Sequence, residues 1–193
     1  MKTTFILHGG ENRLDNLNNK KFYQSWVSSF ADDYIPKIII VLYAKKLEEQ
    51  AEAYQLNSEL FSKHTNGQKA DLEIASQDIN EFCQQVEKAD VVYFHGGSPE
   101  ALNEKIRPIK EKFIDLIRGK ICIGSSAGTI MLSRYGRGTE GYWVEGLGLL
   151  PIASFVHWDS AFQKDLDEFK EKNKDLEYIT LPETEFVIKE FEI

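Results

Sequence analysis

The sequence predicts an α/β fold, a mostly parallel sheet with helices on both faces. Three observations carry that expectation. Short apolar runs alternate with amphipathic segments along the chain. The runs are continuously apolar, as strands covered on both sides must be. One of them ends in Gly-x-Ser-x-Gly and passes straight into a helix-like segment, the pattern of a sharp strand-to-helix elbow.

Phe5-Ile6-Leu7 reads as the first strand. From about Leu17 to Phe30, Phe22, Trp26 and Phe30 recur every fourth residue and predict a helix with an aromatic face. Pro36 opens the β-branched run Lys37 to Tyr43, and a long helix follows over about Leu47–Lys63. Asp71-Leu72-Glu73-Ile74 is a brief strand. Ser76 is placed to cap a helix at about Gln77–Lys88, with Ile79, Phe82, Cys83 and Val86 facing inward. Asp90 to Phe94 is a strand ending in His95-Gly96-Gly97. A helix over Ser98–Arg118 is broken near Pro108 and closed by Gly119. Lys120 to Gly124 is another buried strand. Beyond about residue 140 the pattern is less regular. It still suggests an apolar strand ending at His157, a helix near Ala161–Lys172, and strands at Tyr178–Leu181 and Phe186–Ile188.

The composition narrows the function classes. The chain has 193 residues, 42% of them hydrophobic and 28% charged, which suits a single globular domain over residues 1–193. Its 23 Lys and Arg against 31 Asp and Glu give a net charge of −8, which argues against nucleic acid or an anionic membrane as partner. No secretory leader and no apolar stretch of membrane-spanning length are visible. Cys83 and Cys122 lie in apolar periodic segments and read as buried, reduced thiols, which suggests a cytoplasmic protein. No metal-binding spacing occurs, and no cofactor is expected.

Chemistry concentrates in Gly124-Ser125-Ser126-Ala127-Gly128. A turn of this kind lifts its central side chain above the sheet edge, and small residues at ±2 let the flanking backbones approach. The new helix offers N–H groups and partial positive charge to a developing oxyanion. Ser126 is therefore the candidate nucleophile and the Ala127 N–H one oxyanion donor. A hydroxyl needs a base. His64 sits in a polar loop beside Asn66-Gly67 and reads as solvated; His8 and His95 each precede a Gly-Gly pair and read as loop-shaping. His157, at a strand end and downstream of Ser126, is the candidate base. Glu183, Glu140, Glu145, Asp159 and Glu185 are all candidates for the orienting carboxylate, and pattern alone does not separate them. Gly97 is the candidate second oxyanion donor. It precedes Ser126 by only 29 residues (126 − 97), one βα unit. That spacing fits two adjacent parallel strands of a flavodoxin-like three-layer sandwich, and not the distant oxyanion loop of an α/β-hydrolase.

Taken together, these segments resemble the S51 serine peptidases, the group of dipeptidase E (α-aspartyl dipeptidase) and cyanophycinase, within the class I glutamine amidotransferase-like fold. The carriers are Phe94-His95-Gly96-Gly97 with Leu102, the Ser126 elbow, Gly146-Leu147-Gly148-Leu149-Leu150-Pro151 with His157 six residues beyond (157 − 151), and Leu181-Pro182-Glu183. The resemblance implies Ser126 as nucleophile, His157 as general base, Glu183 as the acid of a Ser-His-Glu triad, and Gly97 and Ala127 as oxyanion donors. The resemblance also admits an acid between Ser and His; the segment from Arg134 to Glu145 looks short for that, which leaves Glu140 as the weaker alternative. Related amidotransferases use Cys at the elbow, so Ser126 points away from glutamine hydrolysis. The resemblance implies a small peptide as substrate. The same residues would also serve an esterase or amidase, and a non-catalytic binding protein on this scaffold remains open, as does a homodimer. Ser125 precedes the nucleophile where aspartyl dipeptidases often carry Trp, so side-chain specificity does not transfer. Arg134, Arg137 and Lys164 are candidates to bind an acidic substrate group, although a solvated surface is the simpler expectation for each.

Overall fold

A computed structural model of the chain describes residues 1–139 and 141–193. Its first part alternates β1 (Lys2–His8), α1 (Leu17–Ser25), β2 (Lys37–Val41), α2 (Leu47–His64), β3 (Asp71–Ile74), α3 (Ile79–Lys88), β4 (Val91–Phe94), α4 (Pro99–Ile106), α5 (Lys110–Ile117), β5 (Ile121–Ser125) and α6 (Ala127–Leu132). Five parallel strands lie in the order β3-β2-β4-β5-β1. Counted from β2, that is the 2-1-3-4-5 order of a flavodoxin-like sheet whose last strand comes from the chain's beginning. β10 (Phe186–Glu192) adds an antiparallel edge beside β1.

Both faces of the sheet are covered, which explains the unbroken apolar runs. Ile6, Ile38, Ile40, Tyr93 and Ile123 point to one face and pack with Phe22, Trp26 and Phe61 of the α1–α2 layer. Phe5, Ile39, Val41, Phe94 and Cys122 point to the other, against side chains of α3 to α6. Alternation along each strand thus divides two apolar cores and leaves no face for solvent. Among the described residues no helix is long and apolar enough to cross a membrane.

A second, four-stranded sheet follows, built from β6 (Ser133–Arg137), β7 (Trp143–Glu145), β8 (Leu150–Val156) and β9 (Glu177–Leu181), with α7 (Gln163–Lys172) between the last two. Its Leu150, Ile152, Val156, Ile179 and Leu181 join the core on the α3–α6 face. β8 and β9 run parallel, so both end at the same edge, beside the end of β1.

Several boundaries differ from the sequence expectation for local reasons. α1 stops at Ser25, whose hydroxyl bonds back to the Phe22 carbonyl; tight turns then carry Trp26 and Phe30 onto the same core. β2 ends at Val41, before a turn closed by Lys45 N–H on the Leu42 carbonyl. α3 is capped by Asp78, which accepts the N–H groups of Asn80 and Glu81, whereas Ser76 donates to the Glu81 carboxylate. The long helix after β4 breaks at Pro108 into α4 and α5, joined by a 3₁₀ turn. His64, expected in solvent, is buried and stacks on Tyr23 because α2 continues to that residue.

Candidate active site

Ser126 stands between β5 and α6 with φ 50° and ψ −109°, a left-handed conformation that non-glycine residues avoid. The surroundings fix it there. Its N–H donates to the His8 carbonyl at 3.0 Å, and its carbonyl accepts the Ile130 N–H at 3.0 Å. The glycines on either side are required by contact. A Cβ on Gly124 would lie 2.5 Å from the Gly128 carbonyl carbon, and one on Gly128 would lie 2.3 Å from the Phe94 carbonyl oxygen. Ala127 is the first residue of α6, so its N–H has no acceptor within the helix.

His157 follows β8 and also takes a positive φ, 51°. Its N–H donates to the Gly9 carbonyl at 3.0 Å, which ties it to the end of β1. The ring reaches Ser126, with Oγ and Nε2 2.9 Å apart. On the other side Nδ1 lies 3.4 Å from Glu183 Oε1. Glu183 sits in the turn after β9, closed by Glu185 N–H on the Pro182 carbonyl and held to β1 by Thr184 N–H on the Gly10 carbonyl. The His157 side chain is 20% exposed and that of Glu183 54%.

Among the described residues the carboxylate within hydrogen-bond reach of His157 is that of Glu183. Asp159 accepts the Ala161 N–H at the start of a 3₁₀ turn. Glu145 is in β7, where its carbonyl holds Asn103 and Arg107. Glu185 gives its carbonyl to Gly9 N–H. Glu140 lies outside the described residues. Gly97 and Gly96 line the cleft with Ser126; Gly96 lies nearest the nucleophile, since a Cβ there would come within 3.3 Å of the Ser126 Cβ.

The cleft above Ser126 has a volume of about 360 Å3. Its walls carry both charges: Arg13 and Lys45, and Glu11, Glu49 and Glu52. Arg134, Arg137 and Lys164 are not among its lining residues. Arg137, expected in solvent, has a 5% exposed side chain paired with Asp165 and packed over the Phe155 and Phe162 rings. His95 lines the cleft with Nδ1 against its neighbour's carbonyl, Gly96 O, and burial lowers its pKa to about 4. Burial likewise lowers His8 to about 4, partly opposed by a hydrogen bond with Asn19. Among the described residues no group of three or more His, Cys, Asp or Glu side chains is placed to share a metal ion.

Sequence pattern alone does not mark Gly9 and Gly10 as part of this site. A Cβ on Gly10 would lie 2.1 Å from His157 Cε1, and one on Gly9 would lie 2.1 Å from the Pro182 carbonyl oxygen. The pair leaves the space in which the imidazole and the Glu183 turn sit. The signal was present as a Gly-Gly at a strand end, but its partners are more than 140 residues away in sequence.

Comparison with known proteins gives the family and the fold. The family described as Peptidase family S51 matches residues 5–190. Among solved structures the chain is similar to a peptidase from an acI-B1 Actinobacterium, at 21% identity and TM-score 0.67, over 98% of this chain and 84% of that one. It is also similar to a protein from Listeria monocytogenes EGD-e named "Putative Peptidase E Protein", at 14% identity and TM-score 0.62, over 100% of each chain. At these identities the two structures speak for the α/β fold. No curated protein matches the sequence.

Proposed function

The chain belongs to peptidase family S51 and is a serine-type peptidase, and from that premise we propose that it hydrolyses small peptides in a dipeptidase E-like manner through Ser126, His157 and Glu183. The observation that carries this reading is the 2.9 Å contact between Ser126 Oγ and His157 Nε2 at a strained elbow on the floor of a cleft. His157 Nε2 accepts the hydroxyl proton as Oγ attacks the scissile carbonyl. Glu183 accepts the Nδ1–H, which keeps the lone pair on Nε2 and favours the imidazolium once formed. The Gly97 and Ala127 N–H groups hold the oxyanion; losing one such donor costs about 10²–10³ in rate. His157 then protonates the leaving amine, and water releases the acyl group from Ser126.

The cleft's size and mixed charge support a short substrate. Arg13 and Lys45 suit a carboxylate, and Glu49 and Glu52 suit an ammonium group. A free dipeptide carries both. The acidic chain and its free, buried cysteines accord with a cytoplasmic enzyme that acts on small molecules and not on nucleic acid or membranes.

A fluorophosphonate probe tests the nucleophile directly. The wild type is expected to be labelled and Ser126→Ala is not; absence of labelling in both overturns the reading. Turnover of free dipeptides compared with N-acetylated dipeptides and short acyl esters tests the substrate class. Preference for the free dipeptides is expected, and cleavage of esters alone would move the enzyme to the esterases.

A further inference from the structure

Behind Ser126 lies a buried polar chain that takes no direct part in bond making or breaking. His8, the last residue of β1, has its ring packed on Phe22 and fully enclosed. Its Nδ1 lies 3.2 Å from the Gly10 N–H and 3.3 Å from Ser125 Oγ, and its Nε2 lies 3.0 Å from Asn19 Oδ1. These contacts have a fixed direction. A backbone N–H can only donate, so Nδ1 must carry the lone pair. The Asn19 amide nitrogen donates to the carbonyls of Glu11 and Leu14, at 2.9 and 2.7 Å, which turns its oxygen toward His8. Oδ1 can only accept, so the imidazole proton is on Nε2. The network therefore admits one form of His8: neutral, with Nε2 protonated. Burial of the ring favours the same form. A second proton, on Nδ1, would face the Gly10 N–H head on.

His8 also touches both sides of the reacting pair. Its carbonyl accepts the Ser126 N–H, and its side chain holds Gly10. Gly9 and Gly10 in turn accept the N–H groups of His157 and Thr184, and Gly10 leaves the gap that the His157 ring fills. We propose that His8 is a positioning residue for hydrolysis at Ser126: in its neutral Nε2–H form it sets the Gly9–Gly10 backbone, and so the reach of His157 to the Ser126 hydroxyl. This rests on the assignment of Ser126 and His157 made above. The bond from Gly10 N–H to Nδ1 has the form of an Asx turn, side-chain acceptor to the N–H two residues on, so Asn at this position can reproduce it.

The experiment compares His8→Asn and His8→Leu by fluorophosphonate inactivation, resolved into a binding constant and a maximal rate, on protein whose folded fraction is measured by circular dichroism. A misplacement of about 1 Å can cost ~100-fold in rate. His8→Leu is therefore expected to lose about 100-fold in the maximal inactivation rate, with probe binding unchanged. His8→Asn is expected to recover most of that loss. If His8→Leu inactivates as fast as the wild type, or if His8→Asn is as slow as His8→Leu, the positioning role is overturned. Should His8→Leu fail to fold, nitrogen-15 spectra of the wild type decide at pH 7: a protonated Nε2 and a bare Nδ1 on His8 support the proposal, and any other state refutes it. A wild type that the probe does not label sinks the assignment of Ser126 and this inference with it. A labelled wild type matched by His8→Leu sinks the role of His8 alone.

Discussion

The two ends of the proposed triad are built differently. At the nucleophile the backbone is enclosed and only the half-buried side chain meets the cleft: Ser126 has both backbone groups bonded at 3.0 Å, glycines on either side pressed against backbone, and buried His8 and Ser125 behind it. At the acid end, Glu183 hangs from a turn with its carboxylate 54% exposed and 3.4 Å from the imidazole. Preorganisation is worth most where water is excluded and least where water competes for the same charge. On the proposed mechanism, the contrast assigns most of the rate to the elbow and makes the carboxylate a lesser aid.

The largest expected effect tests the enclosed end. Ser126→Ala should reduce peptide turnover by more than about 10³-fold, since removing the nucleophile leaves only binding and the oxyanion donors. Its melting temperature should hold or rise, because Ala lacks the hydroxyl and keeps the fold's small side chain at a strained position. Residual turnover near the wild-type level would move the chemistry to another group.

The enclosed end should also be sensitive to acid. His8 titrates at about 4 in the fold against 6.5 unexposed to such burial, so between those values the unfolded chain binds the extra proton. Its contribution to stability is complete above pH 6.5 and is lost as pH falls toward 4, at most about 3 kcal/mol. His95 is shifted in the same direction by its own burial. The urea midpoint should fall over that window, and the fall should shrink in His8→Asn. A midpoint that is flat from pH 6.5 to 4 would contradict the buried neutral imidazole.

Gly10→Ala probes the hinge between the two ends. The new methyl would meet the His157 ring at 2.1 Å, and φ +136° adds strain for any L residue. The ring must move, so kcat/KM should fall about 100-fold. Gly67→Ala, where φ is also positive but nothing lies within 4 Å, separates backbone strain from the clash with His157. Equal losses of activity in the two variants would remove the contact from the account.

The sequence reveals the enclosed end far better than the exposed one. Gly124 to Gly128 spells out the elbow within five residues: Gly124 is required by its approach to Gly128 and Thr129 in the same turn, although Gly128 itself is pressed against Phe94 of β4. The buried strands β2, β4 and β5 show as unbroken apolar runs because both faces of the sheet are covered. β6, by contrast, reads Ser-Arg-Tyr-Gly-Arg, and what makes it a strand is pairing with β8 and contact of Gly136 with Ile130. Arg137 is buried by rings from Phe155 and Phe162, far along the chain. The cleft-lining Arg13 and Lys45 come from two separate loops, so no spacing links them. The pairing of Gly10 with His157 is a contact of the same long-range kind.

The smallest effect on activity is expected at Glu183, and it bears most directly on the contrast. In a fully buried triad, replacing the acid by its amide costs about 10⁴-fold, because the amide N–H imposes the wrong imidazole tautomer. Here the side chain is half in water and can turn away, so that penalty should be largely avoided. Glu183→Ala and Glu183→Gln should therefore both lose about 10-fold in kcat, and KM should change little, since the carboxylate points at His157 and does not line the cleft. The comparison of the two variants carries the information. Similar, modest losses mean that Glu183 works as a screened charge at the rim. A loss near 10⁴ confined to the amide would mean that the turn from Pro182 to Glu185 closes over the imidazole when substrate binds. The acid end would then be as enclosed as the elbow during turnover, and the difference between them would belong only to the unliganded molecule.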